Sequence, residues 1–351
     1  MCGIIGYIGD NNISKKNFNI ARDLISHRGP NWGETKIYKK SNKQIYFGHR
    51  RLSIIDISSS SNQPYEFQNL SLIFNGEIYN YIELRDLLKK KGYKFHTTGD
   101  TEVLIKSIHC WGKKVFSYLD GMWSFACINK ISGDILISRD RFGEKPLYYY
   151  KNNNTFIFCS EVTPILKLFP NSGDINKNSI LRFCINGYKS VKKVNETFYN
   201  KIKELPSGNN LVFSENKIKV YQYWKPQFNP VSNLTYSDVV ENIKEKLIKS
   251  LKQKLRSDVK LAFTLSGGID SNSLISIAKK ILKYDVHAFS ILNKNKSYDE
   301  KKFINRTINN LNINHQYIEL ENRNFIKDIT SIISERKLPI LTISHYLYGK
   351  L

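Results

Sequence analysis

The second residue of the chain is a cysteine, in Met1-Cys2-Gly3-Ile4-Ile5-Gly6-Tyr7-Ile8-Gly9. A small second residue permits removal of the initiator methionine, which would give Cys2 a free α-amino group. One residue then carries a thiol nucleophile and an amine base of pKa about 8, the two parts needed to attack an amide. Position alone reads equally well as a buried structural cysteine in an apolar first strand. Three polar clusters follow. Arg50-Arg51-Leu52-Ser53-Ile54 comes after a β-type run, Asn75-Gly76-Glu77 interrupts another after Phe74, and Thr98-Gly99-Asp100 precedes a helical stretch. Each has an ordinary reading as a turn or a cap. Together they offer a guanidinium fork for an α-carboxylate, carboxylates for an α-ammonium, and a side-chain amide with a glycine N–H for a tetrahedral oxyanion. That is the set glutamine hydrolysis requires.

A fourth cluster, Leu265-Ser266-Gly267-Gly268-Ile269-Asp270-Ser271, joins an apolar strand to a helix. Its two glycines let the backbone approach a ligand, and the helix start presents N–H groups and a positive dipole end to an anion. Ser266 and Ser271 add hydroxyl donors. The spacing is not that of a Walker loop, and a plain Gly-Gly turn looks the same.

The elements that must position these groups fall into two regions. Over the first ~210 residues, short aromatic and β-branched runs bounded by Gly, Asn and Asp predict strands at 44–48, 71–74, 123–128, 135–138, 148–150 and 156–159. Helices are expected over 78–91, stopped by Gly92, and over 100–111, started by a capping-type Asp100 with Glu102 at the dipole-positive end. Many strands with few helices make this an antiparallel α+β domain. A turn-rich stretch with Pro226, Pro230, Asn233 and Thr235 then gives way to an amphipathic helix with the stripe Val240, Ile243, Leu247, Leu251, Leu255. Strand 261–265, a helix from Ile269, strand 286–291, helix 298–309 and strand 316–320 alternate as in a parallel α/β sheet, which puts the boundary at about 225–237.

The 351 residues suit about two domains. No apolar run reaches the ~18 residues of a membrane span, and the start lacks the basic region of a secretory signal. The five cysteines, Cys2, Cys110, Cys127, Cys159 and Cys184, form no C-x-x-C pair, so a disulfide scaffold and a zinc site are not indicated and a reducing cytoplasm fits. The formal charge of +23 is spread along the chain without interleaved aromatic residues, as on a solvated Lys-rich surface. Neither a nucleic-acid nor a membrane partner is expected.

The heptapeptide 265–271 resembles the pyrophosphate loop of the ATP pyrophosphatase family, and its context, 255–259 before it and 287–291 after it, is similar to that of the asparagine synthetase branch. The first region resembles the N-terminal-nucleophile glutaminase domain of class II amidotransferases. The matching segments are 1–6, His27-Arg28-Gly29-Pro30, 48–56, Gln63-Pro64, 74–80, 119–126 and 139–147. The last two, with Ser160-Glu161, point to the asparagine synthetase subgroup. The resemblance implies an αββα sandwich over 2–225, followed over 237–351 by the N-terminal part of an α/β parallel-sheet ATP-binding domain. It implies Cys2 as nucleophile, its amine as base, and Asn75 and Gly76 as oxyanion hole. Arg51 would hold the glutamine carboxylate and Glu77 with Asp100 the amino end, with Leu52 and Ser53 also among the glutamine-binding residues. Only the family's Arg-Leu-Ser alignment separates Arg51 from Arg50. For ATP it implies Leu265, Ser266, Gly267, Gly268, Asp270, Ser271 and Ile291, with Asp270 as either a Mg²⁺ ligand or a helix cap. The expected substrates are glutamine, aspartate and Mg-ATP, and a homodimer is left open.

The pattern also departs from the family. The chain stops about 80 residues after the phosphate loop, before a second Ser-Gly-Glu-Gly-x-Asp-Glu segment, which reads as a fragment of a longer gene product. Lys337-Leu338-Pro339 replaces an acidic residue before the proline, and Asn31 replaces an Asp. The expected activity is glutamine-dependent asparagine synthesis. The alternatives are amidation of another carboxylate, on a sugar or a peptide, or glutaminase activity alone.

Overall fold

A computed structural model of the chain describes residues 1–10, 13–153, 155–187, 195–228, 230, 233–292, 299–319 and 324–349. The chain divides into two compact units, Met1–Pro226 with Glu335–Pro339, and Gln227–Ser334 with Ile340–Leu351.

In chain order the first unit contains β1 (Gly3–Gly9), α1 (Lys15–Asp23), β2 (Trp32–Lys40), β3 (Lys43–Arg51), β4 (Tyr65–Phe67), β5 (Leu70–Ile78), α2 (Tyr81–Lys90) and α3 (Asp100–Trp111). It continues with β6 (Gly121–Asn129), β7 (Ile135–Arg139), β8 (Tyr148–Lys151), β9 (Thr155–Cys159), α4 (Val162–Leu168), α5 (Lys177–Asn186), β10 (Lys203–Glu204), β11 (Asn209–Ser214) and β12 (Lys217–Gln222). Two antiparallel sheets result, ordered β10-β8-β9-β1-β3-β2 and β12-β11-β7-β6-β5-β4.

The period-2 alternation of each strand decides the layering. Ile4, Ile8, Ile45, Phe47, Phe156 and Phe158 of the first sheet share a core with Ile73, Ala126, Ile128, Ile135, Ile137 and Leu211 of the second. The intervening positions face outward to helices. Ile5, Tyr7, Tyr46, Ile157 and Cys159 pack on Phe18, Ala21, Val162 and Ile165 of α1 and α4. Leu72, Phe74, Trp123, Phe125 and Cys127 pack on Leu84 and Leu88 of α2 and Val103, Leu104 and Ile108 of α3. The unit is thus the expected four-layer αββα sandwich.

Three local expectations are corrected. Asn75-Gly76-Glu77 does not interrupt a strand, because β5 runs through it to Ile78, paired with β6 over Leu70–Ile78. Ile78 therefore ends a strand, and the following helix starts only at Tyr81. Its stop is as expected: Gly92 at φ 87° lets the Gly92 and Tyr93 N–H groups return to Lys89 and Leu88 carbonyls at 2.9 and 3.1 Å. Asp100 is the first residue of α3 and Gly99 occupies the cap position, so Asp100 is not the cap; its carboxylate accepts from the N–H groups of Asp100, Thr101 and Ile78.

The second unit contains α6 (Tyr236–Lys254), β13 (Ala262–Thr264), α7 (Ile269–Ser276), β14 (His287–Leu292), α8 (Lys301–Leu311), β15 (Asn314–Glu319), α9 (Phe325–Arg336) and α10 (Ile343–Tyr348). The three strands form a parallel sheet, β13-β14-β15. Strand–helix alternation therefore holds, with bounds shifted by one to three residues. Tyr298 and Leu320, at the ends of the expected elements, lie outside the described residues. Of the stripe on α6 only Leu251 is buried, whereas Val240, Ile243 and Leu247 are 45%, 54% and 41% exposed.

Candidate active site

Register brings the first site together. Gly3 pairs with Arg50 in the antiparallel β1–β3 ladder, so Cys2 comes opposite the end of β3. The Cys2 thiol lies 3.4 Å from the Leu52 N–H and 3.6 Å from the Leu52 carbonyl. Cys2 and Arg51 continue the alternation of Ile4–Ile8 and Ile45–Phe47, and Asn75 and Glu77 continue that of Ile73, so all four extend the layer between the sheets. They line one pocket with Met1, Leu52, Gln63, Gly76, Asp100, Thr101 and Lys145.

Arg50 has the opposite parity. It donates to the Gly29 carbonyl at 3.1 Å and to Asp23 of α1 at 3.4 Å, away from the pocket. The pleat thus turns Arg51, and not Arg50, into the pocket. Arg51 is buried and donates to the Ser58 carbonyl at 2.6 Å, to Asn62 Oδ1 at 2.7 Å and to the Asp56 carbonyl, so the 56–62 loop fixes its plane. Burial would raise the Asp56 carboxyl, but Ser58, Ser61 and the Thr98 N–H donate to it and hold it down at about 2.

Asn75 is fully buried on β5. Its Nδ2 lies 3.4 Å from Ser124 Oγ and its Oδ1 has no partner. Exchanging the two amide atoms, which is a matter of assignment, would leave the NH₂ unpartnered instead. Gly76 can only be glycine, because a Cβ there would stand 2.1 Å from the Met122 carbonyl oxygen and 2.8 Å from Trp123 Cα.

The pocket carries opposed charges. Burial raises the Cys2 thiol above its ordinary value, opposed by the Leu52 N–H. Burial lowers the terminal amine, here that of Met1, and Arg28 and Lys145 lower it further while Cys2 opposes them. Burial also raises Glu77 and lowers Lys145, and each charge partly offsets the other's shift. Asp100 is pushed up to about 7, first by burial and then by Glu77, against the hydrogen bond it accepts from the Ile78 N–H at 2.9 Å. Arg28 braces Cys2, donating to its carbonyl at 3.0 Å and to Glu161 at 3.0 Å.

Ser53 is not among the pocket's lining residues; its N–H donates to Asn31 Oδ1 at 3.0 Å. An amide oxygen can accept that bond as a carboxylate would, which accounts for the Asn at that position. Lys145 was missed. Nothing local in the segment 139–147 says that its lysine turns into the pocket. Gln63 was likewise unassigned; it braces β5, accepting from the Phe74 N–H at 2.6 Å.

In the second unit, Thr264, Leu265, Ser266, Ser271, Phe289, Ile291, Glu300 and Ile304 line a pocket at the carboxyl ends of β13 and β14, where open α/β sheets place ligands. Ser266 and Ser271 hydroxyls are 3.0 Å apart, and the Gly267 N–H donates to Glu300 at 2.8 Å. Gly267, Gly268 and Asp270 are not among its lining residues, and Asp270 is exposed. No group of three or more possible metal ligands occurs among the described residues. No helix among them is long and apolar enough to cross a membrane.

The description "glutamine amidotransferase domain" belongs to the family model that matches residues 1–224, and "asparagine synthase" to the one that matches 242–348. A protein of Methanocaldococcus jannaschii, provisionally named asparagine synthetase [glutamine-hydrolyzing] 2, is 32% identical over 93% of this chain and 66% of its own length. Asparagine synthetase [glutamine-hydrolyzing] 3 of Bacillus subtilis is 30% identical over 83% of this chain and 48% of its own. This chain thus spans about half to two thirds of the length of these relatives. Among solved structures, the glutamine phosphoribosylpyrophosphate amidotransferase of B. subtilis aligns with a TM-score of 0.47 and 16% identity over 90% of this chain and 65% of that one, a likeness too distant to carry weight. The chain belongs to the glutamine amidotransferase family, in the asparagine synthetase branch that joins this domain to an asparagine synthase domain.

Proposed function

We propose that the first unit hydrolyses glutamine to glutamate and ammonia, and that the protein uses ATP to amidate the β-carboxylate of aspartate. The observation that carries the first half is the convergence of Cys2, Arg51, Asn75, Gly76, Glu77 and Asp100 on one pocket. Burial raises the thiol and lowers the neighbouring amine, here that of Met1, so both shifts favour the uncharged forms. Such a thiol needs a base at the moment of attack, and removal of Met1 would put that base on Cys2 itself. Asn75 and the Gly76 N–H would receive the oxyanion. Arg51 would take the α-carboxylate of glutamine, and Glu77 with Asp100 the α-ammonium, whose arrival would favour ionised carboxylates.

For the second half, the Ser266 and Ser271 hydroxyls and the start of α7 fit the pyrophosphate portion of ATP, and Leu265 and Ile291 the adenosine. Bound Mg²⁺ would offset phosphate charge; Glu300 lines this pocket and suits a hard cation at least as well as the exposed Asp270. ATP cleavage to AMP and pyrophosphate would activate aspartate, and ammonia from Cys2 would displace AMP. The test supplies glutamine, aspartate and Mg-ATP and measures glutamate, pyrophosphate and asparagine separately. Glutamate release that is lost in Cys2→Ala is expected. Unchanged release in that variant overturns the first half, and pyrophosphate formation indifferent to aspartate overturns the choice of acceptor.

A further inference from the structure

We propose that Glu300 is an internal competitor for the phosphate loop, its carboxylate occupying the Gly267 N–H until a nucleotide displaces it. This rests on the nucleotide reading of that pocket. The loop's three successive N–H groups are not used alike. Those of Ser266 and Gly268 are satisfied inside the loop, by Ser271 Oγ at 3.2 Å and Ser266 Oγ at 3.2 Å. That of Gly267 reaches a side chain 33 residues away, Glu300 Oε2, at 2.8 Å.

The carboxylate is held there by its own element. Glu300 immediately precedes α8, and its carbonyl accepts the Phe303 and Ile304 N–H groups at 3.0 and 3.1 Å. Ile304 is buried in the core of the unit, so the start of the helix is anchored. Glu300 and Ile304 line the pocket together with Ser266 and Ser271.

A carboxylate oxygen on a loop N–H beside a helix N-terminus makes the contact a phosphate oxygen would make. The two anions cannot share one N–H, and like charges side by side oppose each other. Binding of a bare phosphate chain must therefore push Glu300 aside. A divalent cation between the two anions would reverse the sign of their interaction, so the opposition is greatest without metal.

The test is calorimetric binding of inorganic pyrophosphate to the full chain in metal-free buffer, for the parent, Glu300→Gln and Glu300→Ala. The Gln variant keeps the shape and an acceptor oxygen but removes the charge, and the Ala variant frees the N–H. Both should bind more tightly than the parent, by up to roughly fivefold, the scale of one exposed charge contact, and the gap should narrow when Mg²⁺ is added. Equal or weaker metal-free binding in both variants, with Ser271→Ala still reducing binding, overturns the competition and leaves the nucleotide reading standing. Absence of pyrophosphate and ATP binding in all three proteins, with and without Mg²⁺, overturns both.

Discussion

The two units place their candidate sites on very different supports. In the first, Arg51, Asn75, Gly76 and Glu77 belong to paired strands, Cys2 directly precedes one, and three hydrophobic clusters pack both faces of both sheets. In the second, the phosphate loop is mostly exposed, one small cluster forms the core, and α6 leaves most of its apolar stripe in solvent. The contrast separates a site whose groups are held by packing before substrate arrives from one whose loop is held by its own serines and Glu300. Preorganisation of that first kind places donors where charge will develop; a loop of the second kind is arranged by what binds it.

The largest effect that could break this contrast is expected at Cys2. Cys2→Ala should abolish glutamate release while leaving the melting temperature and pyrophosphate binding unchanged, because the residue touches neither core. Loss of nucleotide binding in that variant would contradict the independence of the two sites. Asn75→Ala should follow with a fall of about 10²–10³ in kcat, the usual loss for one oxyanion donor. A tenfold larger rise in KM than fall in kcat would assign Asn75 to ground-state binding instead.

Arg51→Lys should raise KM for glutamine about tenfold, as one charge-assisted hydrogen bond disappears, with little change in kcat. Arg50→Lys should leave KM alone, since its partners are Asp23 and Gly29; the reverse outcome would move the carboxylate site.

Asp100→Asn isolates what the buried pocket costs in stability. The folded-state pKa of Asp100 is about 7 against an ordinary 3.8, so the native protein loses stability as pH rises from about 4 to about 7. The amide cannot ionise and can still accept the Ile78 N–H. The melting temperature of the variant minus that of the parent should therefore be small at pH 4, grow through this window and level off above pH 7, while glutamine binding weakens. A difference independent of pH would mean that Asp100 is not the titrating group.

The smallest effect is expected on α6. Ile243→Ser should change stability by no more than ~0.5 kcal/mol, whereas Leu251→Ala should cost about 2–5 kcal/mol. Urea unfolding of the two variants compares an exposed and a buried position on one stripe; equal losses would show that the exposed half of the stripe is covered in solution.

Much of this was legible in the residues alone. The strand runs at 123–128, 135–138 and 156–159 fall within β6, β7 and β9, because alternating aromatic and β-branched residues express a period of 2 wherever the chain lies. The strand–helix alternation after residue 255 gave the parallel sheet. The types of the site residues were also legible, since a thiol behind Met1, paired arginines and Asn-Gly-Glu announce their chemistry. What needed the tertiary structure were the relations. Local pattern ended a strand at Phe74 because Asn, Gly and Glu are poor strand formers; pairing with β6 carried it on to Ile78. Cross-strand register and pleat parity turned Arg51 toward Cys2 and Arg50 away. Long-range folding brought Lys145 into the first pocket and Glu300 to the second, and left Ser53 and Asp270 outside the residues that line them. Composition and spacing determine which groups a chain possesses and which elements it can form. Which of those groups meet depends on contacts between residues tens of positions apart, and no local period encodes them.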